Sequence, residues 1–411
     1  MAVLEHTSRT YRPSERIEQL RARALNQGPE LFQDAWRRAY LYLEGWMGAS
    51  QVSKLTIPKL EPECSAQPLP LRNAEALGHV IECMPVRLYP GELLVGQHSN
   101  GGDSLNFRAE LGENYLQRFE DCPLSDEERE NLERWVAAEP FAWQRLAPVA
   151  PMPREMRLAE QHGAITVWGT DLNHSIRAYD KVLRLGFSGL RAEVEERLAG
   201  LSPADPQAPH ARANLLAWQR LCVAAMTLGP RHAAEARRRA RLARKPERKR
   251  EWEAIAEVCE RVPNHPARTF REALQALWFA HMITAWEDGV NANGIGRIDQ
   301  FLWPYLEQDL AEGRLDWDQA AELLAALWCK LYQTYDVQQM MIGGQTPEGE
   351  DATNPLSYLV LDVTEGLGFV RCLSARLHRR TPREFVARCV DLLAHGGGIP
   401  FFFNDEALIP A

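Results

Sequence analysis

Residues 270–307, FREALQALWFAHMITAWEDGVNANGIGRIDQFLWPYLE, constrain the fold of this chain more than any other stretch. Leu274, Leu277, Trp278 and His281 recur at helical spacing, which predicts a long helix with a buried face. The helix runs into a turn containing Asn291, Asn293, Gly294 and Gly296, where glycine permits backbone shapes that other residues resist. Packing accounts for the helix but not for GIGRIDQ. An Arg297 buried or half-buried beside Asp299 must be paired, because an isolated charge away from water is expensive. The expectation is a buried Arg297–Asp299 ion pair that holds a rigid loop beside a cavity.

The chain has 411 residues, enough for one large domain or two smaller ones. Its formal charge of -9 excludes a general nucleic-acid-binding surface, which needs a net basic footprint. No apolar run approaches the roughly 20 residues that span a bilayer. The start, MAVLEHTSRT, lacks a basic region followed by an apolar core. A cytoplasmic protein with no membrane partner is therefore expected. The 8 cysteines include no CxxC pair and no tight Cys/His cluster, so reduced thiols are expected and a zinc site is not.

Along the chain, residues 14–47 read as two helices, with Ser14 as a cap and Pro29 in a first turn. The segment NAEALGHVIECMPVRLYPGELLVGQ reads as a helix followed by a hairpin-like pair of strands around Pro90-Gly91. Ser125 and Glu128 form a capping box ahead of an acidic helix. AITVWG reads as a strand leading to a polar turn that contains His174. Two readings of His174 stand: a brace at a helix start, or a polar group projecting into a cavity at a strand's end. The basic run EARRRARLARKPERKR reads as a solvated helix face, since Ala and Leu interrupt it at helical spacing.

Two further helices follow GRIDQ. The Gly343-Gly344 pair has no GxxxxGK[ST] context and is not a P-loop. Glu350, Asp351 and Asn354 are candidate metal ligands, but a turn and a helix cap explain them better, and no metal is assigned. LSARLH then reads as a buried strand, REFVARCVDLLAHGGG as a helix stopped by glycines, and IPFFFND as another strand.

In their order and spacing, FREALQALWF, GIGRIDQFLWPYLEQDL, GGQTPEGEDATNPLSYLVLD, LSARLHRRTPREF and GGGIPFFFNDEALI resemble the glycyl radical enzyme family, which contains pyruvate formate-lyase and the radical diol and choline lyases. SERIEQLR, PGELLVGQ and NHSIRAYDKVLRLGF extend the likeness upstream, so residues 1–411 resemble the N-terminal portion of a pyruvate formate-lyase-like catalytic domain. The resemblance implies an α/β fold: a partial ten-stranded α/β barrel, its first half-barrel, with extensive outer and N-terminal helices. It also implies thiyl radical chemistry on a small-molecule substrate in a lyase or dehydratase. In that family a C-terminal glycyl radical, installed by an S-adenosylmethionine and iron–sulfur activase, passes to a cysteine in a GCxE-type motif.

Neither GCxE nor an RVxGY-type glycine motif occurs in these 411 residues. The expectation is a chain that binds no cofactor itself and is inactive alone, with the glycyl radical on a missing C-terminal portion. Three accounts stand: a truncated fragment, half of a split enzyme completed by a second polypeptide, or a non-catalytic half-barrel that serves as a binding or association module. Expected partners are the activase, the missing half and, when complete, further copies in a homo-oligomer. Cys372 precedes LSARLH, upstream of the expected radical cysteine, and Cys389 reads as core.

By position, His174 matches the place where the pyruvate enzyme carries an Arg and diol dehydratases carry a His. A neutral imidazole there suits a hydroxyl or carbonyl. In the NANGIG loop, Asn293 stands where a diol enzyme's Ser would be a substrate contact. His174 and Asn293 are thus the expected substrate-binding residues, and Gly296, Arg297 and Asp299 the scaffold of the site loop.

Overall fold

The computed structural model describes residues 10–26, 37–38, 40–42, 44–45, 68–97, 124–137, 154–164, 175–288, 293–333, 338–368 and 372–409. Four parallel strands form its sheet: β1 (Gly296–Arg297), β2 (Met340–Gly343), β3 (Leu373–Leu377) and β4 (Phe401–Asn404), adjacent in that order. Gly296 stands opposite Met340, Ile342 opposite Ala375, and Ser374 opposite Phe401. A parallel bridge between Ile176 and Gly294 continues this order beyond β1, so five parallel segments lie side by side. The α/β half-barrel expectation agrees with this topology.

Parallel neighbours need a crossover, and here every crossover is helical. Numbered in chain order, the helices ahead of the sheet begin with α1 (Glu15–Leu25), α2 (Leu69–Cys83), α3 (Asp126–Ala137) and α4 (Arg154–Gln161). They continue with α5 (Tyr179–Ala199), α6 (Ala208–Ala225), α7 (Leu228–Leu242), α8 (Pro246–Arg261) and α9 (Phe270–Asp288). Between β1 and β2 run α10 (Ile298–Ala311) and α11 (Trp317–Tyr332). α12 (Pro355–Leu367) and α13 (Arg383–Ala394) make the next two crossovers, and the short α14 (Asp405–Leu408) follows β4.

Helix starts follow the local chemistry. Ser125 and Glu128 bond reciprocally ahead of α3, with Ser125 N–H donating to Glu128 at 2.8 Å. Asp316 and Gln319 do the same ahead of α11, as do Asn354 and Ser357 ahead of α12. Asn354 is therefore a cap, and Asp351 accepts from His378 Nε2 at 3.0 Å. The basic run lies on α7 and α8, where Arg238 and Arg239 pair with Glu235, Arg237 with Glu260, and Arg248 with Glu251. Its charge is spent on interleaved glutamates, as a solvated face requires.

Two local expectations need correction. Helix α9 is buried on more than one face: Ala273, Leu274, Ala276, Leu277, Trp278 and Phe279 are all enclosed. A helix enclosed on every side is an interior helix, and its buried polar side chains, such as Gln275 and His281, need partners. Residues 85–97 form no hairpin and no strand. At the end of the segment, backbone groups of Val95 and Gly96 are taken by side chains of α9 and α11 instead. The Gln275 amide accepts from Val95 N–H and donates to Val95 C=O, both at 2.8 Å. Trp278 Nε1–H and Lys330 Nζ donate to Gly96 C=O at 3.0 and 2.9 Å. With these groups paired to side chains, the segment has no need of a partner strand.

Candidate functional site

The carboxyl ends of β1 to β4 converge on the loop Gly343-Gly344-Gln345. Arg297 donates from Nη2 to Gly343 C=O at 2.8 Å and from Nη1 to Gln345 C=O at 3.0 Å. Asp299, fully buried, accepts from Gly343 N–H at 2.8 Å and from the Ser357 hydroxyl. The expected Arg297–Asp299 ion pair is therefore corrected: each holds one side of the Gly343 residue, donor to its carbonyl and acceptor from its amide. The two residues flank a strand-to-helix junction, where α10 begins at Ile298, and their side chains reach separate groups of one loop. Burial pushes the Asp299 carboxyl up to about 6, against the pull of its bonds from Ser357 and Gly343.

From the far side, Asp405 completes the grip. Its Oδ2 accepts from Gln345 N–H at 3.0 Å and its Oδ1 from Arg376 Nε at 2.7 Å, with the carboxylate buried. Gly343 and Gly344 have φ of 69° and 86°, the left-handed region that favours glycine. A Cβ on Gly344 would sit 2.9 Å from both Arg376 Cβ and Asp405 Oδ2. Gly344→Ala is expected to cost about 2 kcal/mol, combining left-handed strain with crowding. Gly349→Ala, at φ 81° with nothing within 4 Å, should cost about half that from backbone strain alone. Urea unfolding of both variants checks this; equal costs would show that the packing around Gly344 yields freely.

Beneath the entrance to β1, Asn293 is fully buried and Gly294 N–H donates to Ser175 C=O at 3.0 Å. This bond ties the residue after Asn293 to the residue after His174. His174 itself lies outside the described residues. Gly296 has φ 84°, and a Cβ there would meet Ile176 Cγ2 at 2.8 Å, so glycine lets the two segments approach.

A buried polar relay supports the same corner. Tyr179 hydroxyl bonds His281 Nδ1 at 2.8 Å, and His281 Nε2 bonds Gln338 Oε1. Gln338 Nε2 donates to Leu331 C=O at 2.8 Å, which leaves its oxygen to accept. His281 thus carries its proton on Nε2 and accepts from Tyr179 through Nδ1. Burial lowers the His281 imidazole to about 4 and raises the Tyr179 phenol to about 12, so both are neutral near pH 7.

Sequence reasoning missed Asp405, Ser357 and the Gly343–Gln345 loop as parts of one unit. The available signal was FFFND, an acid directly after a buried-looking strand, where α/β sheets place functional groups. Cys372 lies at the opposite, amino-terminal edge of β3, where its carbonyl accepts from Met340 N–H at 2.8 Å. Cys389 is core, and burial pushes its thiol up to about 12. No group of three or more His, Cys, Asp or Glu able to hold a metal ion occurs among the described residues. No helix among them is long and apolar enough to cross a membrane.

An all-parallel, helix-crossed sheet with its loops laced at the carboxyl ends defines a half-barrel of α/β type. Residues 11–411 match the pyruvate formate lyase-like family model, and the chain belongs to that family of glycyl radical enzymes. It is 33% identical over 387 residues to the isethionate sulfite-lyase of Nitratidesulfovibrio vulgaris, covering 84% of this chain and 46% of the relative. It is 30% identical over 377 residues to the trans-4-hydroxy-L-proline dehydratase of Clostridioides difficile, covering 83% and 47%. The glycerol-bound B12-independent glycerol dehydratase of Clostridium butyricum superposes with a TM-score of 0.80 at 29% identity, over 98% of this chain and 52% of that one. The chain spans about half the length of the curated relatives it matches.

Proposed function

We propose that these residues form the N-terminal half of a glycyl radical lyase or dehydratase that cleaves a C–O, C–N or C–C bond of a small metabolite. The observation that carries the reading is β4. It is an edge strand whose Phe401, Phe402 and Phe403 are 51%, 42% and 36% exposed, a surface suited to the second half of a barrel. His174 and Asn293 are the proposed substrate contacts. Gly296, Arg297 and Asp299, joined by Asp405, hold the loops that frame them.

The thiyl and glycyl positions come from polypeptide other than these 411 residues, which contain neither GCxE nor RVxGY. The chain by itself is proposed to be inactive and cytoplasmic. It depends on that complement, on an S-adenosylmethionine and iron–sulfur activase, and on oligomerisation when complete.

The test is anaerobic co-expression with downstream or separate polypeptides that carry both motifs, together with an activase. A glycyl doublet in the electron spin resonance spectrum is expected. Absence of the doublet from every such combination sinks the reading.

A further inference from the structure

Helix α2 ends in Cys83, a free and exposed thiol. One turn earlier on the same helix, His79 Nδ1 lies 3.7 Å from Cys83 Sγ, within hydrogen-bond reach of a sulfur. The other ring nitrogen, His79 Nε2, bonds Glu44 Oε2 at 2.7 Å. Two features of the sequence bring the three groups together. Positions 79 and 83 are i and i+4, neighbours on one helix face. Gly45 lets the segment that carries Glu44 close on α2, since a Cβ there would sit 2.7 Å from His79 Cβ and 2.9 Å from Ala76 Cα. Thiol, imidazole and carboxylate follow one another in the order that activates a nucleophile: a base beside it, and a third group that orients the base.

The surrounding charges act in the same direction. Glu82, next to Cys83 in the chain, is engaged by Arg220, whose Nη1 and Nη2 reach its two oxygens at 2.8 and 2.9 Å. Arg231 of α7 donates to the carbonyls of Ile81 and Met84, on either side of Cys83, and so opposes the negative end of the helix dipole. Hydrogen bonds to Cys83 and Glu44 raise the His79 imidazole to about 10, which makes it an imidazolium near neutral pH. A cation against sulfur favours the thiolate, the nucleophilic form. Cys222 and Cys259 show the contrast: both are buried, and burial pushes their thiols up to about 11 and about 12.

We infer that Cys83 is a reactive thiol that exchanges with low-molecular-weight disulfides, activated by His79 while Glu44 orients the ring. The Cys83 sulfur attacks one sulfur of the disulfide, so that a new S–S bond forms as the old one breaks. The departing thiolate takes the proton held on His79 and leaves as a thiol. Cys83 is thereby oxidised to a mixed disulfide, and the released thiol is the reduced product. The site lies apart from the loops at the carboxyl ends of the strands and stands independently of the radical-lyase reading.

Dithiodipyridine, a small aromatic disulfide, tests the site on the purified chain, with modification of each cysteine followed by peptide mass. Cys83 should react faster than the buried Cys222 and Cys259. Its rate should change by less than about threefold between pH 6 and pH 8, because the imidazolium persists across that range. In His79→Asn the rate at pH 6 should fall about tenfold or more. It should then climb about tenfold per pH unit, as for an ordinary thiol below its pKa of about 8.5. Glu44→Gln should shift the profile the same way by a smaller amount. The parental profile decides the matter without any variant: a rate that climbs with pH like that of an unassisted thiol overturns the inference. So does a flat profile that survives in His79→Asn.

Discussion

Lys330→Met should destabilise the protein by roughly 3–5 kcal/mol, the cost of leaving one member of a buried ion pair without its partner. Lys330 and Glu92 have side chains 5% and 2% exposed and are in direct contact. Lys330 also donates to Gly96 C=O at 2.9 Å, while Glu92 accepts from Gln97 Nε2 and from Tyr89 N–H, each at 2.8 Å. This cluster fastens residues 89–97 to α11, a segment with no ladder of its own. Methionine matches the lysine stem in volume, so the loss is electrostatic rather than a cavity.

Adding Glu92→Gln to Lys330→Met should recover part of the stability, since a neutral amide still accepts from Tyr89 N–H without burying a charge. Urea unfolding of both variants decides it. A single variant within 1 kcal/mol of the parent would mean that water reaches Glu92 and solvates it.

The same segment shows where sequence reasoning stopped. VRLY and ELLVG alternate like strands, and nothing local reveals that Gln275, Trp278 and Lys330, at least 180 positions away from their partners, pair the backbone of Val95 and Gly96. Lys330 carried its own signal, because it interrupts a run that is otherwise apolar, from Ala320 to Leu331, and buried throughout apart from Glu322. A lysine there must meet an acid. By contrast α9, α11, α12, α13, β3 and β4 were legible, because their periodicity, caps and glycine stops act over a few residues.

At the strand ends the residues were legible and their partners were not. Arg297 and Asp299 were singled out as charges that need pairing, and both are held. Their common partner is Gly343, 46 and 44 positions away, which adjacency in sequence could not indicate. Asp405 escaped notice for the same reason, since Gln345 is 60 positions from it. The order of motifs revealed the family, while the lacing of one loop by three strands required coordinates.

That lacing should make stability depend on pH through Asp299. Its carboxyl moves from 3.8 in the unfolded chain to about 6 in the folded one, chiefly by burial. Between those values the folded state holds a proton that the unfolded state has released, so stability falls as pH rises. The contribution is fully present below about pH 3.8 and lost above about pH 6, an interval worth roughly 3 kcal/mol.

Other carboxylates act in the opposite sense; Glu235, for example, is held at about 2 by Arg238 and Arg239. The decisive quantity is therefore the difference between parent and Asp299→Asn, measured by urea unfolding from pH 4 to pH 7. Asparagine keeps an acceptor for Gly343 N–H but cannot ionise. The parent should lose roughly 2.5 kcal/mol relative to the variant over that range. A flat difference would show that Asp299 stays ionised throughout, with Ser357, Gly343 and Arg297 outweighing its desolvation. The loop at the carboxyl ends of the strands would then be held by a permanent charge rather than by one that titrates.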